Sequence, residues 1–108
     1  MEMLEVIETI EKAKADFAER AKNLVSGLKL YGPVTVSYAC QGIDFRLKAQ
    51  LDGHEVEVFA CHRKDGNKNI ALGVSYEDQG EEWETRYSED DTWHGLAKVL
   101  IDLKQELS

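Results

Sequence analysis

From Ile43 to Leu51 the chain alternates apolar and polar residues without interruption: Ile43, Phe45, Leu47, Ala49 and Leu51 against Asp44, Arg46, Lys48 and Gln50. A period of two describes a strand with one buried face and one wet face. Asp52-Gly53 follows, a dipeptide suited to a two-residue hairpin turn. Folding the chain there sets Leu51 opposite His54, Ala49 opposite Val56, Leu47 opposite Val58 and Phe45 opposite Ala60. A slip of one residue would turn every apolar side chain into water, so the register is tightly specified. A second polar turn, Lys64-Asp65-Gly66-Asn67-Lys68, leads to Ile70, Leu72, Val74 and Tyr76. These pair with His62, Ala60, Val58 and Val56 on the same inner face.

Before this meander, Met3, Val6, Ile7, Ile10, Ala13, Phe17, Ala21, Leu24, Val25 and Leu28 form one helical stripe. The stripe predicts a single helix running through Gly27 to Leu28, about 40 Å long, with Gly32-Pro33 ending it. Such a helix overhangs the strands, leaving a turn free for a second subunit. Val34, Val36, Tyr38 and Cys40 then alternate with Thr35, Ser37 and Ala39 in a first strand. A turn at Gln41-Gly42 pairs Cys40 with Ile43, Tyr38 with Phe45 and Val36 with Leu47. After the meander, Trp83, Thr85 and Tyr87 alternate with Glu82, Glu84 and Arg86 in a fifth strand. Ser88 to Asp91 offers caps for a closing helix that buries Trp93, Leu96, Ala97, Leu100, Leu103 and Leu107. Val99 and Ile101 flank that stripe, which predicts a helix wedged between neighbours. The expected fold class is α+β in two layers: long N-terminal helix, five-stranded antiparallel meander sheet, C-terminal helix, both helices on one face. It forms a single α-β5-α domain over 1–108.

Composition adds limits. The 108 residues are 43% hydrophobic, enough for a real core, and no apolar run approaches the length of a membrane span. The start, Met-Glu-Met-Leu-Glu, lacks the pattern of an export signal. Two cysteines without such a signal point to a reducing cytoplasm. A net charge of −8 argues against direct contact with nucleic acid or an anionic membrane. Between Glu77 and Asp91 lie eight acids (Glu77, Asp78, Glu81, Glu82, Glu84, Glu89, Asp90 and Asp91) and one base, Arg86, so this stretch holds −7 of the −8. It reads either as a solvated rim or as a docking surface for a basic partner. In a simple meander the Val34–Ala39 strand is an uncharged border, which invites another strand. A homodimer or partner contact is expected along Val34–Tyr38.

Catalytic chemistry finds little support. Cys40, Cys61, His54, His62 and His94 resemble a metal set by type, but register sends Cys61 to the outer face while Cys40, His54 and His62 point inward. No nucleophile elbow or phosphate-binding glycine pattern occurs. Register also places Phe59 opposite Gly73 and Cys61 opposite Ala71 on the outer face. Phe59 is then either an exposed ring covering a glycine or a docking site for a partner helix or peptide.

These features describe a small acidic cytosolic protein–protein interaction module, an adaptor, chaperone or inhibitor of a basic partner, without enzymatic activity, cofactor or metal. Its partner-binding residues are drawn from Glu77, Asp78, Glu81, Glu82, Glu84, Phe59, Val34 and Val36. One variant is an acidic immunity or phage-type inhibitor that mimics nucleic-acid charge. The runner-up is a small-ligand binder with a pocket between sheet and helices, walled by Tyr38, His62 and Trp83. A redox or metal role for Cys40 and Cys61 ranks last.

Overall fold

A computed structural model describes residues 3–39, 42–63, 70–78 and 82–107, with side chains described over 10–38, 43–61, 71–77 and 82–107. The elements are α1 (Met3–Ala21), β1 (Leu28–Ala39), β2 (Gly42–Leu51), β3 (His54–Arg63), β4 (Ile70–Asp78), β5 (Glu82–Tyr87) and α2 (Trp93–Leu107). The strands form one antiparallel sheet in the order β1-β2-β3-β4-β5. Among the described residues, no helix is long and apolar enough to cross a membrane.

The central hairpins follow the alternation. Leu51 pairs with His54, Leu47 with Val58 and Phe45 with Ala60. Val56 pairs with Tyr76, Val58 with Val74 and His62 with Ile70. Asp52 and Gly53 both take positive φ, 49° and 89°, as the tight turn between right-twisted strands requires.

The N-terminal third departs from the expected single helix. α1 stops at Ala21, which makes it about 28 Å long. Leu24, Val25 and Leu28 keep helical spacing yet reach the core from a turn and from the start of β1. Gly27 makes that turn at φ +88°, a region glycine enters at little cost, and its carbonyl accepts the Asp52 amide at 3.0 Å. Gly32-Pro33, expected to end the helix, lies inside β1. Tyr31 pairs with Lys48 but Thr35 with Arg46, so β1 carries two extra residues between them. An insertion of two preserves strand parity, and Leu30, Val34 and Val36 therefore all pack against the core. Pro33 has no amide to donate, and this border strand is where a sheet tolerates it.

The register of β1 against β2 differs by two from the expected one. Val36 lies opposite Phe45 and Tyr38 opposite Ile43. The expected Cys40–Ile43 pair includes Cys40, which falls outside the described residues. Parity survives the shift, so the inner face keeps its residues.

The core joins Phe17 and Ala21 of α1 and Leu96, Leu100 and Leu103 of α2 to the inner face of the sheet, from Phe45 through Val58 to Val74. Phe17 stacks on Phe45 with centroids 6.2 Å apart and meets Trp93 at 5.8 Å. Thr92 caps α2, its hydroxyl accepting the Gly95 amide at 3.0 Å. Val99 packs against the core but Ile101 is exposed, so α2 is not wedged on both sides as expected.

β5 faces the other way from the expected arrangement. Val74 pairs with Arg86 and Tyr76 with Glu84, which places these charged residues on the helix side. The chemistry explains the choice. The Tyr76 hydroxyl donates to Glu84 at 2.9 Å and accepts from Arg86 Nε at 3.0 Å. The Arg86 guanidinium then forks onto the Glu106 carboxylate of α2, with Nη2 to Oε1 at 2.8 Å. Trp83, Thr85 and Tyr87 consequently lie on the outer face.

Candidate functional site

The outer face is built from alternate residues of the same strands that build the core. At its centre Gly73 lies between Phe59 on β3 and Tyr87 on β5. A Cβ on Gly73 would meet Phe59 Cζ at 2.5 Å, so the ring fills the space above the glycine. Tyr87 meets that ring edge-on at 5.6 Å, and the Arg46 guanidinium lies 4.9 Å from its centroid. Phe59 is in consequence only 1% exposed. The expected docking role for Phe59 is thereby corrected: its neighbours already cover it. The ring does cover the glycine.

Around it runs a satisfied polar network. Arg46 pairs with Glu57 at 2.9 Å and with Asp44 at 3.5 Å, and the Cys61 thiol donates to Asp44. Cys61 faces outward as expected. Lys48 lies opposite Glu57 in the register, but Arg46 holds that carboxylate.

The surface changes character at the β4–β5 border. Trp83 is 55% exposed and Tyr87 58% exposed, on the same face of one strand, with Thr85 between them. Trp83 lies directly opposite Glu77, also exposed. Sequence reasoning assigned Trp83 to a pocket beneath the sheet and did not single out Tyr87. The signal that fixes both is parity: a β5 register that sets Tyr87 on Gly73 sends Trp83 outward.

The acids of this region have separate surroundings. Glu77 shares the outer face with Trp83, whereas Glu82 and Glu84 occupy helix-side positions. Asp78 lies opposite Glu82 in the register. Glu81 falls outside the described residues. Glu84 accepts from Tyr76, whose own ionisation is pushed upward by partial burial and by that carboxylate. Asp90 belongs to the α2 cap, accepting from the Thr92 hydroxyl at 2.6 Å and from Ser88 at 3.2 Å. Those bonds, the Thr92 hydroxyl first, hold its carboxyl below its ordinary value. Among the described side chains, Glu77 and Glu84 therefore lie on opposite faces of the sheet.

The proposed ligand wall does not come together. Tyr38 shares the inner face with Ile43, its partner in the register, while Trp83 lies on the opposite face. Tyr38 is 72% exposed, and the His62 side chain is outside the described residues. A groove of about 700 Å³ runs between α1 and β1 past Ala15, Ala18, Leu28, Leu30, Tyr31 and Val34, and none of the three expected residues lines it. His54 and His94 are exposed. Among the described residues, no three His, Cys, Asp or Glu side chains gather as metal ligands would. Val34 and Val36 lie half-buried on β1, which is a border of the sheet. Comparison with known proteins finds no matching family model, no matching curated protein and no matching solved structure.

Proposed function

We propose that the chain is a non-enzymatic, cytoplasmic protein-interaction module that docks a basic segment of another protein on the outer face of β4 and β5. The observation that carries this reading is Trp83: a half-exposed indole on a sheet face, directly opposite the exposed Glu77. Tryptophan in the open costs the protein hydration free energy, and tryptophan and tyrosine are the residue types that most often anchor protein interfaces. An indole beside a carboxylate suits a lysine or arginine, which stacks its cation on the ring and pairs its charge with the acid. The acids of residues 77–91 steer such a partner toward this border over longer range. Tyr87 extends the strip while holding Phe59 in place.

The test uses the full chain as bait against host lysate, eluted in rising salt, followed by titration of the purified partner. A basic partner is expected, with affinity falling as salt rises. Trp83→Ala should weaken it about thirty-fold, as loss of an anchor worth roughly 2 kcal/mol does. Glu77→Lys should weaken it further at low salt. Binding indifferent to both substitutions overturns the reading.

A further inference from the structure

We infer that the β1 border pairs with a second copy of this chain, antiparallel, with Val36 opposite its own counterpart. β1 is a terminal strand of the sheet, bonded to β2 on one side. From Leu30 to Ala39 it carries no acidic or basic side chain. Val34, Val36 and Tyr38 share its inner face in alternate positions, the valines half-buried and the tyrosine exposed. A two-fold axis through Val36 sets each Val34 against the other chain's Tyr38 and the two Val36 side chains against each other. That register engages all three residues on both chains. The extra residues at Gly32-Pro33 bound the ladder on one side, because Pro33 donates no hydrogen bond. Val34 to Tyr38 is then the paired segment.

Charge selects this border for a second copy. Each chain carries −8, of which −7 lies between Glu77 and Asp91. With strands about 4.8 Å apart, β5 lies about 19 Å from β1, roughly two screening lengths at physiological salt. Pairing through β1 therefore keeps the two acidic regions at the far ends of a ten-stranded sheet. Pairing through β5 would bring Glu82 and Glu84 of both copies together. The uncharged border is the only sheet border at which two such copies meet without that repulsion.

Sedimentation equilibrium across the micromolar range, on the full chain, tests this. The wild type is expected at twice the 12.2 kDa chain mass. Val36→Lys places two ammonium groups face to face and should halve the observed mass. Val36 packs against the core, so a second substitution is needed in case the first fails to fold. Tyr38→Lys serves, since that side chain is largely solvent-exposed, and it should also give a monomer with an unchanged circular dichroism spectrum. Amide exchange at residues 34–38 should slow as wild-type concentration rises. Trp83→Ala should leave the dimer intact, which separates this test from that of partner docking. A monomeric wild type throughout the range, or a dimer that survives both lysine substitutions, overturns the inference. The first of these outcomes leaves the border to a strand of some other protein.

Discussion

Phe59 and Gly73 fit together as ring and gap: a Cβ on Gly73 would come 2.5 Å from Phe59 Cζ and 2.6 Å from the Arg86 carbonyl oxygen. The ring tip has some freedom to move, but the β5 backbone is held by its own ladder and by the Arg86–Glu106 pair. Gly73→Ala should therefore force β5 away from β4 or Phe59 out of its rotamer. The expected cost is about 1–3 kcal/mol, typical of overpacking. A urea melt followed by tryptophan fluorescence measures it, and an unchanged midpoint would show that the two strands separate more easily than this geometry implies.

Phe17 is the side chain through which α1 reaches both Phe45 and Trp93. Its truncation removes ring contacts with the sheet and with α2 together. Phe17→Ala should cost about 3–5 kcal/mol in thermal or chemical unfolding. Ile101→Ala, on the exposed flank of α2, should change stability by about 0.5 kcal/mol or less.

The cap of α2 links stability to acidity. Asp90 is held below its ordinary ionisation range by the Thr92 hydroxyl, and Glu106 by hydrogen bonding to Arg86. A depressed carboxyl contributes stability that is fully present above its unfolded value and is lost as pH falls through its folded one. The melting temperature should therefore hold down to about pH 4 and decline below it. Asp90→Asn combined with Glu106→Gln should flatten that decline. Thr92→Ala, by removing the cap itself, should cost about 1 kcal/mol at neutral pH.

Trp83 offers a test that separates the proposed docking role from folding. Because it is more than half exposed, Trp83→Ala should shift unfolding by about 0.5 kcal/mol or less while abolishing most partner affinity. Paired denaturation and binding measurements on the same preparation check this, and a large loss of stability would assign Trp83 a structural role instead.

The three middle strands were readable residue by residue because Asp52-Gly53 fixes one turn and strict alternation fixes the faces on either side. The same logic failed where spacing is ambiguous. Leu24, Val25 and Leu28 sit at helical intervals, yet a turn also delivers them to the core, and only the positive φ of Gly27 distinguishes the two outcomes. Gly32-Pro33 reads as a helix terminator, but the strand that absorbs it lies at a border, where a missing donor is tolerated. β5 misled for a related reason. Alternation assumes that the face toward the helices is apolar, but Tyr76 and Glu106 supply partners that let Glu84 and Arg86 occupy it. Sequence therefore named Trp83 but placed it on the wrong face. It also singled out Phe59 without revealing that Tyr87 and Arg46 cover it.

The strand order has a kinetic consequence. Each strand pairs with the one that precedes it in sequence, so every hairpin closes a short loop and none waits for a distant segment. The sheet can zip outward from the Asp52-Gly53 turn, with low entropic cost at each step. Among the described aromatic pairs, the contact of greatest sequence separation, Phe17 with Trp93, joins α1 to α2. That contact spans more of the chain than any hairpin, so its loop closure costs more. Folding of this topology should accordingly be fast for a five-stranded protein, with helix docking as its closing event.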